Sequence, residues 1–338
     1  MNARRWFAAV LVTVLAAGLY AADTPAKPAG EKVMLKVRYV PGDYVVSIQM
    51  STDQTIEMGG NQMAQKMSQA FDMGLQVDEP DSDKNTRMTL SYKRVRQTLQ
   101  MQGQTMKYDS DAKGDSDPTL AKAFAPLLKM KVAMTIGPDG KVKSVSGLDT
   151  LWDEMAKGDP GMAQMAGMMK KSMGDKTMQQ MVDNMMVANL PNKAVAVGEG
   201  WSQKIDMAVP VLGKLDCENK FTLKSVEQTA AGKEAVVAVA GKASSSKAHT
   251  AQMGPMQMTV NGFSMKMNGQ NRFNVANPLL VTSQMTQSGS LDMTMTPPQE
   301  GQEPMVVKTK FDTKVTMTGR KAPKAESKTD GKSEKKAK

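Results

Sequence analysis

Residues 256–267 read MQMTVNGFSMKM. Met256, Met258 and Val260 alternate with polar residues, and Phe263, Met265 and Met267 alternate after them. A period of two is the signature of a strand with one buried face. Between the two runs stands Asn261-Gly262, a pair suited to the positive φ angles of a type I′ turn. The spacing predicts a β-hairpin in which Val260 pairs with Phe263 and all six apolar side chains share one face.

Working outward from this hairpin, the same period recurs along most of the chain. Downstream, residues 273–285, 291–295 and 307–317 read as strands, with Val307, Phe311, Val315 and Met317 on one parity. Upstream, residues 241–255 (GKASSSKAHTAQMGP) are small and polar and read as a loop. Before them, residues 194–197, Ile205/Met207/Val209, Phe221/Leu223/Val226 and 235–240 are strand candidates.

In the first half, residues 33–40 form a strand candidate, Pro41-Gly42-Asp43 marks a turn, and Tyr44, Val46, Ile48 and Met50 alternate. Residues 54–66 fit neither period, and Gly59-Gly60 breaks them. Phe71, Met73, Leu75 and Val77 alternate again before an acidic turn. Met88/Leu90/Tyr92 and Leu99/Met101 read as two further strands, and Gly103 separates them from Met106-Lys107-Tyr108. Asp117-Pro118 starts a short helix to about residue 125: the Asp caps free N–H groups and Pro suits the first helical position. Residues 130–136 and 141–146 flank the tight turn Gly137-Pro138-Asp139-Gly140.

The longest helical signal lies between these two sets of strands. Residues 147–157 supply a turn or two, and residues 158–190 a methionine-rich helix in two pieces divided at Gly174. Met162, Met165, Met169 and Met173 share one side of the first piece. Met178, Met181, Val182 and Met185 follow the i, i+3, i+4, i+7 spacing of a buried helical face in the second. With 33 Met and only 4% aromatic residues, the core is expected to be filled by flexible thioethers.

The ends differ from the body. Residues 1–22 carry Arg4 and Arg5, an apolar run over 6–19 and small residues at Ala21 and Ala22, the pattern of a secretory signal. No Cys stands near that cleavage point, so a lipid anchor is not expected. Residues 23–32 form a polar linker, and residues 319–338 a Lys-rich tail without apolar period, expected to be disordered. The formal charge of +10 sits mainly at these ends: +2 from the two arginines, and +5 from eight Lys/Arg against three Asp/Glu in residues 320–338. A body that reads nucleic acid through a basic stripe is therefore not expected.

Residues 129–147 (KMKVAMTIGPDGKVKSVSG), then Leu151-Trp152, a helical stretch, Leu190-Pro191 and residues 195–201 (VAVGEGW) follow a familiar order. This order resembles a family of uncharacterised exported bacterial proteins of unknown function. The Tyr44 strand after Pro-Gly-Asp and the triplet Tyr108-Asp109-Ser110 extend the resemblance over roughly residues 33–317. The family brings no established catalytic residues. The layout is also similar, at the level of fold alone, to lipoprotein-carrier half-barrels, in which helices plug the concave side of a curled sheet.

Little in the chain suggests catalysis. Cys217 and His249 are the only residues of their types, which excludes Cys/His zinc sites and internal disulfides. No phosphate-cradling Gly loop is present. Methionine thioethers could hold Cu(I), with Met162, Met165 and Met168 at suitable helical spacing; the same spacing serves a buried face.

The expected protein is α+β. A curved, mainly antiparallel sheet (an open half-barrel) spans a single domain over 33–318, with a helical insert at 148–190 layered on its concave face. The expected function is that of a non-enzymatic exported envelope protein without cofactor, periplasmic or extracellular. It would bind a lipid or hydrophobic peptide in a cavity lined by Met162, Met165, Met169, Met173, Met178, Met181, Met185, Met256, Met258, Phe263, Met265 and Met267. The Lys-rich tail is expected to touch anionic surfaces. Cu(I) binding, or a structural role without ligand, is the alternative.

Overall fold

The computed structural model describes residues 32–157 apart from 113 and 115, residues 167, 170 and 179, and residues 190–323 apart from 210, 246, 254, 255 and 298–302; of residues 155, 206–208, 253 and 256 it describes the backbone alone. The secretory signal, most of the linker, nearly all of the Met-rich helix and most of the basic tail lie outside the described residues.

Antiparallel β-structure dominates. In the first half the strands are β1 (Val33–Leu35), β2 (Gly42–Met58), β3 (Asn61–Val77), β4 (Thr86–Met101), β5 (Gln104–Asp109), β6 (Lys131–Ile136) and β7 (Val142–Ser146). In the second they are β8 (Lys193–Val195), β9 (Gly200–Val209), β10 (Gly213–Thr229), β11 (Gly232–Ser245), β12 (His249–Met253), β13 (Met256–Asn274), β14 (Val281–Thr296) and β15 (Met305–Lys321). Among the described residues two complete helices, α1 (Pro118–Lys129) and α2 (Leu148–Ala156), lie between β5 and β8. Thirteen strands form one sheet, ordered β7-β6-β4-β3-β2-β15-β14-β13-β11-β10-β9, with β5 on β4 and β12 on β13. β1 and β8 make a separate two-stranded ribbon. The N-terminal and C-terminal halves meet where β2 pairs with β15 along fifteen residue pairs.

The predicted hairpin at Asn261-Gly262 is corrected: β13 runs straight through it. Val260 stands opposite Met293 and Gly262 opposite Asp292, leaving Asn261 as the extra residue of a bulge. Its Nδ2 donates to Thr294 Oγ1 at 2.9 Å. The partner that the hairpin required comes from the segment read as a loop, because β11 extends to Ser245 and β12 pairs with the start of β13. Small Ala, Ser and Thr side chains hide the alternation there. Yet the predicted shared face survives. Two consecutive outward residues keep Val260 and Phe263 on one side whether they form a turn or a bulge.

A second bulge merges two predicted strands into β4. Arg94 lies opposite Asp72 and Tyr92 opposite Met73, so Lys93 is the additional residue. Residues 54–66, which fit neither period, are the β2–β3 hairpin, turning at Gly59 and Gly60 with φ of 57° and 79°. The strand predicted over 33–40 is shortened to β1. β14 joins the end of the predicted strand 273–285 to the predicted strand 291–295, and a loop at 275–280 separates it from β13. β15 extends three residues past the predicted domain end, to Lys321.

α1 begins as expected. Asp117 accepts from the Thr119 and Leu120 amides at 2.8 and 3.1 Å, and Pro118 opens the helix. It continues past residue 125, through Pro126, to Lys129.

The strand registers put one set of side chains on a common inner face, and four apolar clusters form against it. On one flank, α1 lays Leu120, Ala121, Phe124 and Leu128 over Val95, Tyr108 and Phe71. Phe124 stacks on Tyr108 with ring centroids 5.5 Å apart. Leu148 and Leu151 of α2 pack beside Tyr44, Leu75, Val77 and the β6–β7 hairpin. On the other flank, Leu35 and Val195 of the ribbon cover Phe221, Leu223, Val237 and Met267. A fourth cluster joins Leu215, Val260, Phe263, Met265 and Leu291.

Candidate functional site

Between the two flanks run the central strands β2 and β15. On the inner face Ile48 lies opposite Met317, and Met50 opposite Val315. Ile48, Met50 and Met317 are only half-buried and belong to none of the four clusters. They form an apolar strip that neither roof completes.

Beside the strip, the inner face carries a polar band. Gln69 on β3 faces Met50 on β2 and Gln97 on β4, and its Nε2 donates to Gln97 Oε1 at 3.0 Å. Thr52 and Thr313 share a hydrogen bond of 2.9 Å. Gln287 follows on β14, opposite Thr313, and its Nε2 lies 3.4 Å from the Met267 sulfur. Gln97, Thr52 and Thr313 are each 2% exposed. The second amide donor of the Gln69–Gln97 pair, Gln97 Nε2, is buried without a hydrogen-bond partner.

Charge is sorted by face. Away from the strand ends, no Asp, Glu, Lys or Arg takes an inner position on β2, β3, β4, β10, β11, β13, β14 or β15. The outer face has ion pairs. Arg94 holds Asp109 through two bonds of 2.9 and 2.6 Å, and Arg96 meets Asp72 at 3.1 Å. The Arg94 hydrogen bond keeps the Asp109 carboxyl below its ordinary range. An open groove of about 450 Å³ on this face is lined by Gln49, Ser68, Arg96, Lys107 and Ser116 among others.

Of the predicted ligand-lining residues, Met258, Phe263, Met265 and Met267 are buried on the inner face, at 0–7% exposure. Met256 lies in β13, but its side chain lies outside the description. Met162, Met165, Met169, Met173, Met178, Met181 and Met185, and the alternative copper ligands Met162, Met165 and Met168, lie outside the described residues. Two helical residues of that segment do make described contacts: Lys170 pairs with Asp149 of α2 at 2.9 Å, and Gln179 Nε2 donates to the Val142 carbonyl of β7. The strip and the polar band were missed in the sequence. Alternation marks Ile48 and Met50 as inward, but only the tertiary structure shows that, among the described residues, neither the helices nor the ribbon includes them in a packed cluster.

Cys217 and His249 are not neighbours in register. The Gly213 backbone approaches the His249 ring, and Cys217 stands four residues further along β10, about 13 Å at strand rise. Among the described residues no three His, Cys, Asp or Glu side chains gather as a metal site. No described helix is long and apolar enough to cross a membrane.

Fold and inner face define a protein built on one very broad antiparallel sheet, its charges confined to one side. Residues 83–279 match the profile of a family of unknown function (DUF6263), more than half of the chain, and the chain belongs to that family. No curated protein matches. Among solved structures, one of lipovitellin, titled for its lipid–protein interactions, is similar at 8% identity and a TM-score of 0.39 over 86% of this chain. The chain spans 26% of that protein's length. A DUF1329 family protein from Desulfovibrio piger is 9% identical, with a TM-score of 0.17 over 85% of this chain and 88% of its own. A putative exported protein with a YmcC-like fold from Bacteroides fragilis is 7% identical, with a TM-score of 0.12 over 81% and 97%.

Proposed function

We propose that this is a non-enzymatic envelope protein, exported by residues 1–22 and without a lipid anchor, that holds a hydrophobic ligand against the inner face of its sheet. The observation that carries this reading is the strip Ile48–Met50–Met317, apolar, half-buried, and set in a face without charge. A sheet face that only needed to close would pack such residues fully, because covering each is worth about 1.5–3 kcal/mol. Methionine suits such a surface, since its flexible side chain repacks around varied apolar partners.

The experiment is a binding measurement on the purified chain. Nile red, an uncharged fluorescent probe, should bind and brighten, and native mass spectrometry should detect lipid retained through purification. Met50→Glu, which sets a charge in the strip, should reduce probe affinity at least tenfold. Absence of both probe binding and retained lipid would remove the reading.

A further inference from the structure

The polar band narrows the class of ligand. A wholly apolar cargo would need no hydrogen-bonding groups beneath it, yet Gln69 and Gln97 stand in one row of the inner face, beside Met50, and Thr52, Thr313 and Gln287 in the next. Burying an amide or hydroxyl is unfavourable unless it is hydrogen-bonded. The threonines satisfy each other at 2.9 Å, and Gln69 satisfies Gln97 Oε1. Gln97 Nε2 remains a donor without acceptor at a side chain 2% exposed. It lies two strands from Met50, about 10 Å away, within the reach of one lipid molecule.

Charge sorting decides what kind of acceptor fits. A carboxylate or phosphate brought to this face would lose its water and find no cation. The nearest arginine in sequence, Arg96, takes the opposite face and is held by Asp72 at 3.1 Å. Amide N–H and hydroxyl groups instead match the carbonyl of an ester or amide. We propose that the inner face selects an uncharged amphiphile, with acyl chains along Ile48, Met50 and Met317 and an ester or amide carbonyl at Gln97. This rests on the ligand-binding reading above and specifies its ligand.

The test is competition against Nile red on the delipidated full chain, with dioleoylglycerol, oleate at pH 8 and phosphatidylglycerol as competitors. Dioleoylglycerol should displace the probe at least tenfold more effectively than either anion. Gln97→Leu, close in size but without the donor, should cost dioleoylglycerol about tenfold, the scale of one net hydrogen bond, and leave Nile red affinity unchanged. If Gln97→Leu fails to fold by circular dichroism, Gln97→Met, which also lacks the donor, carries the same comparison. Equal or better displacement by oleate or phosphatidylglycerol overturns the selectivity while leaving the ligand-binding reading intact. An unchanged preference in the folded variant overturns the role of the band. No Nile red binding, together with no lipid retained through purification, removes both proposals.

Discussion

The two flanks of the inner face are covered in different ways. On the β3–β7 side the cover is helical and local in sequence: α1 and α2 follow directly on the strands they roof. On the β10–β14 side it is a ribbon of two three-residue strands, Val33 opposite Val195 and Leu35 opposite Lys193, brought together from distant parts of the chain. The inward side chains of the ribbon are the more completely enclosed. Leu35, Val195 and Leu223 are 0–1% exposed, whereas Phe124 and Leu128 of α1 are only partly buried. A helix brings an apolar stripe of its own, and its neighbours can stay loose. Three-residue strands have little intrinsic stability, so the ribbon holds only where its few side chains are fully enclosed.

Truncations should separate the two roofs most strongly. Leu35→Ala should cost about 4 kcal/mol and Leu120→Ala about 2 kcal/mol, within the usual span for buried leucines, measured by urea denaturation at equal slope. Equal losses would break the comparison and make the roofs equivalent. A smaller effect is expected at the start of α1. Asp117→Ala removes the acceptor of two amide bonds and should cost about 1 kcal/mol. If the ribbon flank folds independently of α1, hydrogen exchange should quicken around Val95 and Tyr108 and stay unchanged around Leu223.

The smallest effect concerns pH. Glu154 of α2 is bound by Lys129 of α1 at 2.6 Å and by Lys157 at 2.7 Å. The Lys129 hydrogen bond, then that of Lys157, lowers its carboxyl from 4.5 to about 2. The stabilisation from this link is therefore complete above pH 4.5 and fades as the pH falls toward 2. Glu154→Gln should flatten the melting temperature over that interval by a small amount, since both lysines that hold it are solvent-exposed. The ribbon has an ion pair of its own, Lys193 of β8 with Glu199 at 2.8 Å, which also lowers the glutamate carboxyl. A Glu154→Gln variant that kept the parent's acid dependence of melting would contradict the assignment to the helical roof.

These contrasts bear on what was legible beforehand. α1 could be placed from Asp117-Pro118 and the apolar spacing after it, because a cap and a helical period are local features. Both strands of the ribbon were legible as candidates, within residues 33–40 and 194–197, but their pairing was not, since it joins segments separated by about half of the chain. The strip at Ile48, Met50 and Met317 was legible as inward-facing but not as uncovered. The polar band was hidden because Gln and Thr at alternating positions look like ordinary solvent-facing residues until the register puts them beside one another.

Residues 256–267 show where the division falls. The sequence alone determined that Met258, Val260, Phe263, Met265 and Met267 share a buried face, because alternation broken by two consecutive polar or small residues preserves parity. Whether Asn261-Gly262 turns the chain or bulges it was decided by tertiary structure. β12 and β14 supply the pairing partners that let β13 run straight. A turn and a bulge impose the same side-chain parity, and only hydrogen bonds to distant strands distinguish them.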